Sequence, residues 1–180
     1  MPEHSSARPM TALDITLRDG RSVRLRPVSA DDEAEFLEAF ERLSDAVRYM
    51  RFMRVVQQPD AQRLRAALAS FPEAGIGIVA TVPAGGGIDI VASCIAVFAA
   101  DRRDCEFAIT VASEYGGAGL ATHLMTQLID EARRRGMKEM EGFVLKQNQP
   151  MLGLATRLGF GIERDPEDAS IRVCRMTLAE

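Results

Sequence analysis

The sequence is poor in cysteine and histidine, the residues on which most thiol and metal sites depend. Its 180 residues include three cysteines and two histidines. Cys94, Cys105 and Cys174 have no metal-ligand spacing and form no even-numbered disulfide framework, and each lies in an apolar run. We therefore expect three small buried thiols in a reducing compartment, no metal site and no catalytic cysteine.

The sequence also lacks an excess of positive charge and any long apolar segment. Its formal net charge is -4, and because nucleic-acid-binding proteins are usually basic we expect no nucleic-acid partner. No apolar run reaches the ~20 residues that span a bilayer, and residues 1–9 lack the apolar core of a signal peptide. We expect a cytoplasmic protein without a membrane partner. A local site could still bind an anion.

The length and composition are those of one globular domain. The hydrophobic fraction is 47% and the charged fraction 27%, enough to form a core in a chain of this size. Polar residues dominate the start of the chain. We expect a disordered N-terminal tail over residues 1–10 and a single domain over residues 11–180.

Hydrophobic periodicity predicts alternating strands and helices. Period-2 runs indicate strands over residues 15–17, 23–26, 76–82, 88–98, 105–111, 139–146, 160–164 and 171–178. Capping residues and a period of 3.6 indicate helices starting near Ser29, Ser44, Ala61, Leu120 and Asn148. Short turns between the early strands favour an antiparallel meander. The predicted class is α+β, with a mixed, mostly antiparallel sheet of about seven strands and helices on both faces.

One glycine-rich stretch, residues 113–122, links the strand at residues 105–111 to an amphipathic helix. Leu120, Leu124 and Leu128 recur there at helical spacing. The first turn of a helix has backbone N–H groups without partners, and glycines let a large ligand approach them. The pattern predicts a pyrophosphate-binding turn. From spacing alone, a turn that merely connects a strand to a helix is equally compatible.

The turn and a later segment resemble the GNAT superfamily of N-acetyltransferases. Gly119 and Ala121 match the Gln/Arg-x-x-Gly-x-Gly/Ala motif, whereas Gly116 replaces its first residue and Ala118 stands where a basic residue is common. The later segment comprises Asn148, Met151, Ala155 and Gly159-Phe160.

Near the start of the chain, a second set of residues resembles the acetyltransferase domain found with acyl-CoA synthetase-like proteins, the bacterial protein lysine acetyltransferases. This set is Asp19-Gly20, Leu25-Arg26-Pro27, Asp31-Asp32, Arg42-Leu43-Ser44, Arg48-Tyr49 and Arg51-Phe52. Together the resemblances cover roughly residues 14 to 178.

The resemblance implies that acetyl-CoA is the cosubstrate and that no metal takes part. Its pantetheine arm would pair with the backbone of Ile109 and Val111, and Asn148 would contact the arm, cap its own helix, or do both. The pyrophosphate would be bound by the backbone amides of the turn and by one hydroxyl. These donors are Gly116, Gly117, Ala118, Gly119, Leu120, Ala121 and Thr122.

The resemblance also implies a catalytic glutamate at Glu106. In the strand at residues 105–111, Glu106 shares a face with the small residues Ala108 and Thr110. A carboxylate there can take the proton of an attacking amine; from composition alone, a solvated surface charge is the simpler interpretation. Many members have a tyrosine that protonates the departing thiolate, and Ala155 occupies that position.

The expected activity is direct acetyl transfer to a primary amine in a ternary complex. The preferred acceptor is a protein lysine side chain. Alternatives are a small amine or amino acid as acceptor, or a sensor that binds acyl-CoA without turnover. Association of two copies into a homodimer is also compatible with the sequence. The segment from Arg42 to Phe52 is interpreted equally well as a wall of the substrate cleft or as an amphipathic helix with solvated arginines.

Overall fold

The structure, a computed structural model, describes residues 10–101 and 103–179 of the chain. Apart from Met10, the tail predicted over residues 1–10 lies outside the described residues. The strands are β1 Leu13–Thr16, β2 Ser22–Pro27, β3 Gly75–Ala84, β4 Gly87–Phe98, β5 Asp104–Val111, β6 Glu139–Leu145, β7 Gly161–Arg164 and β8 Ile171–Thr177. The α-helices are α1 Glu33–Arg42, α2 Asp45–Phe52, α3 Ala61–Ser70, α4 Leu120–Arg134 and α5 Gln149–Leu158.

The described strands form one sheet in the order β1-β2-β3-β4-β5-β6-β8-β7. Neighbours are antiparallel except β5 and β6, which are parallel because α4 crosses between them. The predicted α+β class and the mixed, mostly antiparallel sheet are confirmed. The sheet has eight strands rather than about seven.

Side-chain caps start several helices where the sequence predicted them. Ser44 Oγ accepts from the Val47 amide at 3.2 Å, and Asp60 Oδ1 accepts from the Arg63 amide at 3.0 Å. Ser29 differs, because it opens a short 3-10 turn and α1 begins at Glu33. Asp32 is the last residue of that turn. Its carboxylate accepts hydrogen bonds from both terminal guanidinium nitrogens of Arg26, at 2.9 and 2.7 Å, and this ion pair attaches the start of α1 to β2.

The main core lies between the sheet and the apolar face of α4. Leu120, Leu124 and Leu128 are almost completely buried there, together with apolar side chains from the strands of the sheet. The three cysteines are buried and unpaired, as expected. Burial raises the pKa of Cys105 to about 12 and that of Cys174 to about 11, so these thiols are protonated at neutral pH. Within the described residues, no helix is both long and apolar enough to cross a membrane.

The parallel pair β5–β6 is short, and this creates an opening in the sheet. Its register covers three residue pairs, from Asp104↔Glu139 to Glu106↔Glu141. Beyond Glu106 the strands separate, and the Phe107 ring fills the start of the gap, 5.2 Å from the Phe160 ring. A Cβ on Gly142 would overlap the Phe107 ring. Glycine at this position therefore lets the aromatic ring pack at the base of the opening.

Candidate active site

The edge of β5 that borders the opening carries unpaired backbone groups. Successive residues of a strand direct their N–H and C=O groups to opposite edges. The Ala112 amide donates to Val91 of β4 at 3.0 Å, whereas Arg103 O accepts from Lys138 on the β6 side at 2.6 Å. By this alternation, the backbone groups of Ile109 and Val111 point into the opening, where no strand of the described residues pairs with them.

A cavity of about 550 Å³, here called the first cavity, follows this free edge to the N-termini of α4 and α5. It brings together most of the residues predicted to bind the cosubstrate. Those lining it are Ile109, Val111, Gly116, Gly117, Gly119, Leu120, Ala121, Thr122 and Asn148. Ala118 is not among them, because its side chain is 5% exposed and packs into the core. Glu106 lies on the same strand, outside the lining.

The glycine-rich turn has the backbone geometry of an anion-binding site. Gly117 has a φ of 74°, and Gly119, the N-cap of α4, has a φ of 89°. Residues that carry a Cβ rarely adopt this left-handed backbone conformation. The first helical hydrogen bond runs from the His123 amide to Gly119 O at 3.2 Å. The amides of Leu120, Ala121 and Thr122 therefore have no partner within the helix.

One member of the predicted donor set needs correction, because its amide is already bonded within the turn. The Gly116 amide already donates to Ser113 O at 3.1 Å, because residues 113–115 form a 3-10 turn. Gly116 thus borders the first cavity as a small residue, with its amide engaged. Ala118 O accepts from the Arg18 amide at 3.2 Å, which fixes this residue to another part of the fold.

Sequence reasoning missed Arg18, which reaches the turn from the loop between β1 and β2. Its guanidinium donates to Gly117 O at 3.0 Å, lies beside Gly119, and lines the first cavity. Arg21 of the same loop donates to Glu114 O at 2.8 Å and stacks 4.1 Å from the Tyr115 ring. Because 99 positions separate Arg18 from Gly117, no local pattern could have revealed this contact.

The Arg18 charge supplies what the turn itself lacks. The sequence has Gly116 and Ala118 at positions where the resembled motif has polar or basic residues. Arg21 is paired with Asp19 at 2.6 Å, whereas Arg18 has no carboxylate partner among the described residues. An anion at the start of α4 would therefore meet a guanidinium charge that no described carboxylate neutralises, as well as backbone amides.

Asn148 lies at the far side of the first cavity as the N-cap of α5. Its Oδ1 accepts from the Met151 amide at 3.3 Å, which confirms the capping role considered from the sequence. A side-chain amide has two further donors on nitrogen. Because Asn148 also lines the cavity, capping and ligand binding are compatible at this residue.

Glu106 lies at the point where β5 and β6 part. Most of its side chain is exposed and only part of it is buried, and it faces the side of the sheet that carries α2. Partial burial raises the pKa of the Glu106 carboxyl above its ordinary value, the neighbouring Glu141 carboxylate raises it further, and the Arg51 guanidinium opposes both. A raised pKa suits a carboxylate that must accept a proton near neutral pH.

A second cavity, of about 530 Å³, lies between the sheet and helices α1 to α3. Its inner wall is apolar and includes Phe36, Phe40 and Phe52. Arg51, Ala108 and Thr110 line both cavities, so the two meet at β5 beside Glu106. A molecule in the second cavity can therefore reach the same stretch of β5 as a molecule in the first.

The segment from Arg42 to Phe52 lies along both cavities. Met50 and Arg51 line the first cavity, and Arg42 and Phe52 line the second. Arg48 instead donates to Phe40 O at 2.8 Å and holds α2 to the end of α1. The segment is therefore a cavity wall that is anchored by one of its own arginines.

The position expected for a thiolate-protonating tyrosine offers no acid. Ala155 is completely buried in the core. Of the two tyrosines, Tyr115 lines the first cavity next to the glycine-rich turn, and Tyr49 lines neither cavity. Within the described residues, no group of three or more His, Cys, Asp or Glu side chains could hold a metal ion.

Comparison with known proteins identifies the family. The family described as acetyltransferase (GNAT) domain matches residues 22–161. An acetyltransferase of Pseudomonas aeruginosa is 33% identical over 168 residues, which cover 91% of this chain and 88% of that protein. The chain belongs to the GNAT acetyltransferase family and is an enzyme of that class.

Solved structures share the fold. The GNAT domain of S. lividans PAT has a TM-score of 0.83 at 25% identity, over 92% of this chain and 96% of that one. The protein yncA of Salmonella typhimurium, solved with its cofactor acetyl-CoA, has a TM-score of 0.68 at 21% identity, over 88% and 95%. The family match and the Pseudomonas aeruginosa relative show the superfamily, and the two solved structures share its fold. The expected association with acyl-CoA synthetase-like proteins is not confirmed.

Proposed function

We propose that residues 11–180 form one acetyltransferase domain that transfers the acetyl group of acetyl-CoA to a primary amine, preferably a protein lysine side chain. The observation that carries the proposal is the first cavity. It joins the free edge of β5 to the unpartnered amides of α4, and Glu106 lies beside it on the same strand.

In this proposal the acetyl donor, acetyl-CoA, lies along β5. The N–H and C=O groups of Ile109 and Val111 pair with the amide groups of pantetheine, as an added strand would. The pyrophosphate accepts from the amides of Gly117 to Thr122 and from the Arg18 guanidinium. The Asn148 side-chain nitrogen donates to the pantetheine arm.

Glu106 acts as the general base. An amine with the ordinary lysine pKa of about 10.4 is almost entirely protonated near pH 7 and cannot attack. Glu106 accepts the proton directly or through one water. The amine nitrogen then bonds to the thioester carbonyl carbon and releases its second proton to solvent. The carbon–sulfur bond breaks, and the thiolate takes a proton from solvent because Ala155 supplies none. The products are an N-acetylated amine and CoA.

Two observations bear on the acceptor. The resemblance to bacterial protein lysine acetyltransferases supports a protein lysine. The second cavity, enclosed by α1 to α3 and within the usual size range of small-molecule sites, favours a small amine as the second candidate. Mass spectrometry of cell extract incubated with the protein and labelled acetyl-CoA tests both, since it detects acetylated peptides and acetylated metabolites.

Replacing the proposed base tests the mechanism. Glu106→Gln keeps the shape of the side chain and removes its basicity, so turnover should fall about 10²-fold or more with little change in acetyl-CoA affinity. Thiol release measures turnover, and calorimetry measures binding. Glu167→Gln is the matched control, because Glu167 is an exposed glutamate in the loop between β7 and β8 and has no ion pair among the described residues.

Normal turnover in Glu106→Gln would contradict the assignment of the base. Tight acetyl-CoA binding by the wild-type protein, without thiol release for a broad set of amines, would instead support an acyl-CoA sensor.

A further inference from the structure

Arg51 is a charged side chain with unused hydrogen-bond donors at the junction of the two cavities. It is the second-last residue of α2 and is only partly accessible to solvent. Its guanidinium lies 4.9 Å from the Phe52 ring centre. No hydrogen bond or ion pair joins it to any other described residue. A guanidinium carries five N–H donors and stays protonated in proteins, so a desolvated one without partners is costly unless a ligand uses it.

Of the neighbouring arginines, Arg54 is also unpaired among the described residues but is exposed to solvent, whereas three others have structural partners. Arg42 lies 3.5 Å from Asp89, Arg48 donates to Phe40 O, and Arg65 pairs with Glu33 at 2.8 Å. Each of these has a structural partner that accounts for its position. The Arg51 side chain has none of this kind, although it is more shielded from water than exposed arginines such as Arg65.

The surroundings of Arg51 combine an apolar body with basic charge. The second cavity has aromatic and aliphatic walls, and its charged lining residues are Arg42, Arg51, Arg54 and Arg63 against Asp60 and Glu114. The cavity therefore has an excess of positive charge in a protein whose net charge is -4. An acidic ligand is favoured there over a purely cationic amine.

We propose that Arg51 binds a carboxylate carried by the acceptor, so that the substrate class is an amine accompanied by a nearby carboxylate. This inference rests on the proposed acetyl transfer and names its acceptor chemistry. The Arg51 fork receives the carboxylate in two parallel hydrogen bonds, and the amine lies toward Glu106, which takes its proton. A free amino acid has both groups in one molecule, and a lysine next to Asp or Glu in a peptide presents them together.

The simpler role for Arg51 is to stabilise the Glu106 carboxylate without touching the acceptor. The two roles make different predictions. Loss of an electrostatic partner raises the Glu106 pKa, which moves the acid limb of the pH–rate profile upward equally for every acceptor. Loss of a substrate contact raises KM selectively for acceptors that carry the carboxylate.

The experiment compares matched acceptors with matched variants. One pair is an apolar amino acid and its carboxamide. The other is a lysine peptide with Glu or Gln beside the lysine. Arg51→Gln should raise KM about 10-fold or more for the carboxylated member of the active pair and change the neutral member little, because a hydrogen bond to a charged group contributes about 1.5–3 kcal/mol. Arg51→Lys should retain part of the preference.

Arg65→Gln removes the same charge from α3 outside both cavities and should leave the preference intact. An equal loss for both members of each pair would overturn the proposal and leave only the electrostatic role. The pair that responds identifies the source of the carboxylate.

A binding measurement keeps the two proposals separate. If the wild-type protein binds acetyl-CoA but acetylates no amine, calorimetry of the carboxylated amines against the CoA complex replaces kinetics. Binding that Arg51→Gln abolishes would support the carboxylate site even though the transferase proposal fails. No binding of any carboxylated amine would overturn the carboxylate site.

Discussion

Glu106 and Glu141 are directly opposite each other in the parallel register, at the last pair before β5 and β6 separate. Arg175 binds Glu141 at 3.1 Å and also contacts Glu139 and Glu163, so Glu141 is fixed in place. Two carboxylates on neighbouring strands repel each other, and this favours protonation of one of them. The proposed base is thus influenced by a neighbour from the far side of the opening.

The pair predicts a pH effect with a definite sign. Partial burial and Glu141 raise the Glu106 pKa, and a general base works only above its pKa. Glu141→Gln removes the neighbouring charge, so the acid limb of kcat/KM should move to lower pH, with the plateau rate little changed. A pH–rate profile measures the position of this limb. An unchanged position would show that the Glu141 charge does not affect the group whose titration limits the rate.

Arg18 is the second residue whose role can be isolated. Arg18→Ala should raise KM for acetyl-CoA about 10-fold, because it removes a charge-assisted contact to phosphate. The same variant should use acetyl-pantetheine, which has no phosphate, as well as the wild type does. An equal rise in KM for acetyl-CoA and for acetyl-pantetheine would show that Arg18 only maintains the turn through its bond to Gly117 O. Arg18→Lys should recover part of the affinity.

At the scale of elements, the sequence predicted what depends on local pattern. Helix α3 and the last residues of β4 and β5 agree with the prediction because caps and hydrophobic periods determine them. The glycine-rich turn was predicted from Gly117 and Gly119, which need their positive φ. Arg18 and the pairing of Glu106 with Glu141 were not predicted, since each joins residues far apart in the chain.

The same limit applies to the cavities. Arg42 to Phe52 could be recognised as a charged and aromatic helix, but not as the wall between two cavities. That role depends on how α2 docks against β5, which hydrophobic periodicity does not specify. The unpaired state of Arg51 likewise becomes visible only when every nearby carboxylate and carbonyl has been located.

The close packing of Gly142 against the Phe107 ring, at the base of the opening, can be tested. Gly142→Ala would place a Cβ against the Phe107 ring, which must then move. Overpacking of this kind costs about 1–3 kcal/mol, so the free energy of unfolding should fall by that amount. Denaturant titration measures it. Phe107→Leu in the same chain should recover much of the loss, whereas purely additive losses would show that the ring is not the obstacle.

At the scale of the whole molecule, ligand binding should appear as thermal stability. Acetyl-CoA at about 100 times its Kd should stabilise the native state by about 2.7 kcal/mol. For a domain of this length that corresponds to an increase in Tm of about 5–10 °C, measurable by calorimetry. Acetyl-pantetheine should give a smaller increase at equal concentration, and no increase with either donor would contradict the proposed first-cavity site.

The short register between β5 and β6 divides the sheet into a block of five strands and a block of three. Three residue pairs join the blocks along the sheet, and a donor lying in the opening touches both. In the proposed complex, a bound donor would therefore add non-covalent contacts between the two blocks, because Phe143 and Val144 of β6 line the same cavity as Ile109 and Val111 of β5. These contacts would be absent in the interval between release of CoA and binding of the next acetyl-CoA.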